Sequence, residues 1–249
     1  MEKIRVGAVS YLNTRPLLYG IKHHPVHRNL ELIETYPAKI AELLLHDKID
    51  VGLLPVAAIP LFKEQYIISD FCIGCDGPVA SVAIFSQVQL QEIKAVHLDY
   101  QSRTSTALAQ LLFRHHWQQQ VQFFPATDED FAGTIRGTSA ALVIGDRALK
   151  QTQITSYAYD LGSAWKEFTG LPFVFAAWVA NKQLPKSFIE DFSAANAAGL
   201  NSIEQVITEN DVDYFDLKKY YTEYISYDLS GEKKKGMALF LDLLKSNSF

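Results

Sequence analysis

Several short stretches of this chain carry side chains that can grip an anion or assist a proton transfer. Ser102-Arg103-Thr104-Ser105-Thr106 follows an apolar run and opens a helix-forming segment. Free backbone N–H groups and the positive end of a helix dipole favour an anion at such a place. Arg103 can add a charge-assisted bond. The hydroxyls of Ser102, Thr104 and Ser105 exceed what a single cap needs, although N-capping by Ser102 or Thr104 is the bland alternative. Ser10-Tyr11-Leu12-Asn13 is the matching turn after the first apolar run. Asn13 offers two donors and an acceptor and is no base at neutral pH; it also fits a cap. Asp99 and Asp146 end apolar runs and precede helical segments, so each fits a cap as well, and Asp99 can orient the 102–105 turn. Gly145 allows close backbone approach.

Other stretches invite chemistry and are better read as structure. Cys72-Ile73-Gly74-Cys75 follows a strand-like run, where positions three apart face opposite ways. A structural zinc site needs four ligands, and there is no second cysteine pair. His23 and His27 share a helical face without an acidic partner, so no metal site is expected. His97 reads as a hydrogen-bonded core residue and Lys233-Lys234-Lys235 as a solvated helical face. The aromatics of 214–227 read as packing the C-terminal helices onto the first lobe. Trp165 and Trp178 read as core, with cleft lining as the alternative.

The elements that must position these groups alternate. Strand patterns occupy 4–9, 30–34, 50–56, 67–73, 81–85, 95–99, 121–124, 140–144 and 173–180. Helical patterns occupy 37–46, 56–62, 107–117, a segment from Arg147, 187–209, 216–225 and 232–246. Thr14 or Asn13 can cap a further helix, with Pro16 in its first turn, where a missing N–H costs little. This β-α-β spacing favours buried parallel strands, and the series restarts near residue 92. The chain therefore reads as two α/β lobes: 1–88 plus 179–249, and 89–178. They are joined by crossovers at 86–92 and 173–182, with a hinge and a ligand cleft between the lobes. Ligands bind beyond the carboxyl ends of strands in open α/β sheets; those ends carry residues 10–13, Leu54-Pro55, 99–105 and Gly145-Asp146.

Composition narrows the classes. The 249 residues are 48% hydrophobic, which excludes disorder as the main state. The net charge of −5 shows no basic excess for nucleic acid. No apolar run is long enough for a membrane span. The first ten residues lack the pattern of an export signal, and the two cysteines do not suggest a disulfide scaffold, so a cytoplasmic location is expected.

With those residues in view, the chain resembles a known family. Val9-Ser10-Tyr11-Leu12-Asn13-Thr14-Arg15-Pro16-Leu17 is similar to the opening motif of the chorismate dehydratases of the futalosine route to menaquinone. So are Asp50-Val51-Gly52-Leu53-Leu54-Pro55-Val56, Gly77-Pro78-Val79-Ala80-Ser81-Val82, Leu98-Asp99-Tyr100-Gln101-Ser102-Arg103-Thr104-Ser105 and Ile144-Gly145-Asp146. The resemblance implies a two-lobed clamshell of the type-2 periplasmic-binding-protein kind, with mixed, mostly parallel sheets and two crossover strands. It implies loss of water from chorismate to give 3-(1-carboxyvinyloxy)benzoate, without a cofactor. Asn13 and Ser81 become the catalytic candidates. Ser81 is a contacting hydroxyl and not a covalent nucleophile, because no nucleophile elbow or suitably spaced His accompanies it. Ser10, Tyr11, Pro55, Ser102, Arg103, Thr104, Ser105, Gly145 and Asp146 become substrate-binding candidates. The expected partner is a small dicarboxylate, with no nucleic acid or membrane, in a monomer or homodimer. The sister cyclase of the same route and a non-catalytic carboxylate-binding protein are the alternatives.

Overall fold

A computed structural model describes residues 3–126 and 129–246. In chain order the elements are β1 (Ile4–Val9), α1 (Arg15–His23), β2 (Leu30–Thr35), α2 (Pro37–Leu45), β3 (Val51–Pro55), β4 (Tyr66–Cys75), β5 (Val82–Ser86) and β6 (Ala95–Leu98). Then come α3 (Arg103–Leu111), β7 (Gln122–Pro125), β8 (Ser139–Ile144), α4 (Asp146–Gln151), β9 (Tyr157–Asp160), α5 (Leu161–Thr169) and β10 (Phe173–Ala180). The chain ends with α6 (Lys186–Leu200), α7 (Ile203–Asn210), α8 (Leu217–Lys219), β11 (Ser226–Asp228) and α9 (Gly231–Ser246). Every strand the sequence predicts is present. Three elements are additions: β9, α5 and β11. The helix expected over 107–117 starts earlier, at Arg103, and its last turn is a π-helix over Leu112–His116. The long helix expected over 187–209 breaks after Leu200.

The chain separates into two compact units. The first comprises the residues up to Gly74 and Val174–Ser230. Its six-stranded sheet runs β11-β4-β10-β3-β1-β2. β1 is parallel to β2 and β3, whereas β10 is antiparallel to β3 and β11 to β4. β3 and β10 are buried along their whole length, which matches their unbroken apolar sequences. Trp178 is core: its indole N–H donates to Asn196 Oδ1 at 3.0 Å and its ring meets Phe192 edge-on. Helix α1 lies close against α6. A methyl group on Gly20 would collide with the Ala195 carbonyl, and one on Gly199 with that of Pro16. The two glycines thus set how α1 sits, and with it the turn that precedes α1.

A buried carboxylate fastens the start of this sheet. Asp50 accepts from the Arg5 backbone N–H (2.9 Å) and from its Nε (3.1 Å) and Nη2 (2.8 Å), and Lys182 Nζ approaches to 2.7 Å. Burial alone would raise this carboxyl, but the Arg5 and Lys182 bonds outweigh it and hold Asp50 well below the usual carboxylate range. A depressed folded-state value stabilises above the unfolded value of about 4, and that contribution fades as pH falls below it. Asp50→Asn is therefore expected to lower the melting temperature at pH 7 and to flatten its decline below about pH 4. An unchanged acid-side slope in thermal melts would show that Asp50 is not the group responsible.

The second unit comprises Cys75–Phe173 and the residues from Gly231 onward. Its five-stranded sheet runs β7-β6-β8-β5-β9. β6 is parallel to β7 and β8, and β5 is antiparallel to β8 and β9. Both sheets are thus mixed, with parallel pairing confined to the β-α-β portions. Trp165 is fully buried against Phe173 and Phe240, and Phe240 comes from α9. Helix α9 therefore belongs to this unit, where the sequence analysis assigns 179–249 to the first. An apolar stripe shows that a helix needs a partner and does not say which one. Lys233 is a correction of the same origin. It is 2% exposed, while Lys234 and Lys235 face solvent. The first passage between units falls at Gly74–Cys75, not at 86–92, because β5 is held on both edges inside the second sheet.

Candidate functional site

Parallel pairing brings the chemistry-bearing turns of each unit to the carboxyl ends of neighbouring strands. In the first unit Val6 pairs with Val51 and Gly7 with Gly52. Continuing that register sets Ser10 beside Pro55, which is buried at the end of β3. Ser10 N–H donates to Thr35 O, and Ser10 O accepts from Arg15 Nη2 at 3.0 Å. Tyr11 precedes a one-turn 3-10 helix, Leu12–Thr14, which runs directly into α1. Neither Asn13 nor Thr14 makes the expected side-chain cap bond. Thr14 Oγ1 instead donates to Asn13 Oδ1 at 3.0 Å, and the Tyr227 hydroxyl donates to Asn13 O at 2.9 Å. Pro16 does occupy the first turn of α1.

In the second unit the corresponding cluster is larger. β6 and β8 place Asp99 and the start of α3 next to Gly145. β5 adds Ser81, whose carbonyl accepts from Gly145 N–H at 2.8 Å. Ser102 caps α3: its hydroxyl accepts from Ser105 N–H at 3.1 Å and donates to Ser105 Oγ at 2.9 Å. Thr104 and Ser105 are buried on the same turn, and Arg103 is exposed. Gly145 has φ 63° and ψ −146°, a backbone shape that essentially only glycine adopts. Asp146 is the first residue of α4 and not its cap.

Asp99 is no cap either, and its orienting role is direct. Its buried carboxylate accepts from Gln101 N–H (3.0 Å) and Ile144 N–H (3.3 Å), and from Arg147 Nη2 at 2.9 and 2.7 Å. It therefore ties the turn before α3 to the turn before α4. Burial pulls its carboxyl up, partly offset by Arg147 and the backbone donors. Arg147 also lies over the rings of Tyr100 and Phe131. Its Nη1 is buried without a partner among the described residues.

Asp160 does the same work for Ser81. It accepts from Val79 N–H (3.0 Å), Ala80 N–H (2.7 Å) and, as cap of α5, Ser163 N–H (2.9 Å). Burial raises its carboxyl against those donors. Ala80 is held at φ 61°, a left-handed shape that costs a non-glycine residue. The fully buried Ser81 follows directly, its Oγ 3.4 Å from Val79 O.

Sequence reasoning missed Asp160, Arg147 and Tyr227. Asp160 was legible in principle, since Asp160-Leu161-Gly162-Ser163 through Gly170 has the cap-to-glycine form of a helix. The other two act over 48 and 214 residues, and no local pattern announces them. His97 is not core; it is half-buried and stacked on Phe124 at 5.6 Å. Cys72 and Cys75 form no disulfide and are buried on β4, and burial pushes the Cys75 thiol up, which suits inert packing. Among the described residues no cluster of His, Cys, Asp and Glu has the composition of a metal site. No helix among them is long and apolar enough to cross a membrane.

A family described as menaquinone biosynthesis matches residues 4–246. The chain belongs to that family. Relatives named chorismate dehydratase accompany the match. One from Thermus thermophilus is 28% identical over 231 residues, covering 83% of this chain and 81% of the relative. One from Campylobacter jejuni is 26% identical over 252 residues, covering 96% and 97%. Among solved structures, protein AF1704 from Archaeoglobus fulgidus superposes with a TM-score of 0.78 at 13% identity, covering 98% of this chain and 97% of that one. The Candida albicans protein CA3427 is described as exhibiting the generic periplasmic binding protein structural fold. It superposes with a TM-score of 0.64 at 12% identity, covering 100% and 92%. The family member described here thus has a two-lobed α/β fold of the periplasmic-binding-protein type.

Proposed function

We propose that this protein is a chorismate dehydratase that converts chorismate to 3-(1-carboxyvinyloxy)benzoate and water in the futalosine route to menaquinone. The observation that carries this reading is a family match over residues 4–246, joined by a relative of that name aligned over nearly the full length of both chains. We place the activity in the cytoplasm.

Chorismate carries a ring carboxylate and an enolpyruvyl carboxylate, and the turns of each unit offer donors suited to a carboxylate. In the second unit these are the start of α3 with Thr104, Ser105 and Arg103, together with Ser81 and the Gly145-Asp146 turn. In the first they are Ser10, Tyr11 and Asn13 beside Pro55. The reaction removes the proton from C3 and hydroxide from C4. Negative charge developing at C3 spreads through the ring diene to the ring carboxylate, where fixed donors stabilise it. Aromatic product makes the step strongly downhill.

No protein base is assigned. The buried carboxylates nearest the second cluster, Asp99 and Asp160, are both saturated with donors. Asn13 cannot take a proton. In our reading the enolpyruvyl carboxylate removes the C3 proton and yields it to the departing hydroxide, which leaves as water, and Asn13 donates to that carboxylate or to the departing hydroxyl. Catalysis is then mostly orientation and electrostatics.

The test is ultraviolet absorbance of chorismate with purified protein. Steady loss of chorismate with one equivalent of 3-(1-carboxyvinyloxy)benzoate is expected. Saturable binding with a stable spectrum would instead identify a carboxylate-binding protein.

A further inference from the structure

We propose that Tyr227 and Thr14 are positioning residues that hold Asn13 with its amide N–H₂ group presented to substrate. The proposal rests on the reading of Asn13 as a substrate-contacting residue, and it deepens that reading. Asn13 lies in a one-turn 3-10 helix that no side chain caps. Such a turn is weakly held by its own backbone. Tyr227 adds a hold from outside the turn and Thr14 one from within it.

Tyr227 lies on β11, a three-residue strand at the edge of the first sheet. Between Ser226 and Asp228 the pairing with β4 slips in register. A bulge of this kind re-aims a side chain. The Tyr227 side chain is 6% exposed, and its hydroxyl donates to Asn13 O at 2.9 Å across 214 residues of sequence. Burial and the neighbouring Tyr220 and Tyr221 keep this phenol protonated and therefore a donor. The side chain of Asn13 is fixed separately. Thr14, fully buried, donates to Asn13 Oδ1 at 3.0 Å.

A free asparagine amide can turn over about χ2, exchanging its donor for its acceptor. In the observed arrangement Thr14 holds Oδ1, and Nδ2 has no acceptor among the described residues, so the N–H₂ group is the end left for substrate. The result is a donor turned away from Thr14, on a turn that Tyr227 holds by its carbonyl. Elimination needs this polarity, because both the enolpyruvyl carboxylate and the departing hydroxide accept hydrogen bonds.

Tyr227→Phe, Thr14→Val, Thr14→Ser and Asn13→Ala test this, alone and with Asn13→Ala combined with each of the first two. Chorismate turnover is read for kcat and KM, alongside the melting temperature. Tyr227→Phe and Thr14→Val are each expected to lower kcat about tenfold, as loss of one hydrogen bond to a reacting-group holder would. KM should change little. Thr14→Ser, which keeps the hydroxyl, should restore kcat. In the Asn13→Ala background neither Tyr227→Phe nor Thr14→Val should lower kcat further. Unchanged kcat in both single variants, or losses that multiply with that of Asn13→Ala, would overturn the positioning role. So would a loss in Thr14→Ser as large as in Thr14→Val. Near-normal turnover in Asn13→Ala is a different result: it removes Asn13 itself from the reaction.

Discussion

Asn13→Ala is expected to lower kcat for chorismate by about 100- to 1000-fold, the range seen when one preorganised donor is removed from a charge-developing site. The fold should survive the change. Asn13 is half-buried, and its side chain takes no part in capping α1. The main-chain carbonyl that Tyr227 grips remains present in the alanine variant. Thr14 loses one acceptor, a cost of about 1 kcal/mol. Stopped assays at high enzyme concentration give kcat, and circular dichroism melts give stability. A variant that folds normally and turns over within threefold of the parent would exclude Asn13 from the chemistry, and the proton-transfer scheme built around it would have to change.

The second large effect falls on stability. Asp99→Ala strips the Arg147 guanidinium of its counter-ion and leaves the N–H groups of Gln101 and Ile144 without their acceptor. Breaking a buried pair on one side costs about 3–5 kcal/mol. Arg147 is 29% exposed along its side chain while Asp99 is fully buried, so solvent relieves part of the loss and the low end applies. For a chain of this size about 3 kcal/mol is on the order of a 10 °C fall in melting temperature. The turn leading into α3 should loosen as well, and KM for chorismate should rise. Removing both partners in Asp99→Ala with Arg147→Met is expected to recover part of the stability, because no uncompensated charge is then buried. A single variant that melts within 2 °C of the parent at pH 7 would refute the coupling between the two turns.

Particular residues show where sequence reading succeeded and where it stopped. The central strands of both sheets were legible because unbroken apolar runs such as 51–55 and 140–144 have one economical fate, a strand covered on both faces. The turn at 102–105 was legible because hydroxyls ahead of a helical period signal a helix start, and Ser102 is the cap. The same logic misjudged the capping of Asn13 and Asp99, although the orienting role read for Asp99 stands. Both have cap-forming side chains at strand ends, but that of Asn13 is engaged by Thr14, with Tyr227 on its main-chain carbonyl, and that of Asp99 by Gln101, Ile144 and Arg147. Strand β9 escaped notice because Tyr157-Ala158-Tyr159-Asp160 is short and exposed at a sheet edge, with half its pattern facing solvent.

By itself the sequence determined an α/β chain whose polar turns stand at strand ends, since periodicity and cap chemistry act over a few residues. The tertiary structure alone decided that α9 completes the second unit, that Lys233 is buried, that Asp99 reaches Arg147 and that Tyr227 reaches Asn13. The physical reason is range. Those choices depend on which surfaces meet once strands have paired, and such contacts leave no periodic trace along the chain.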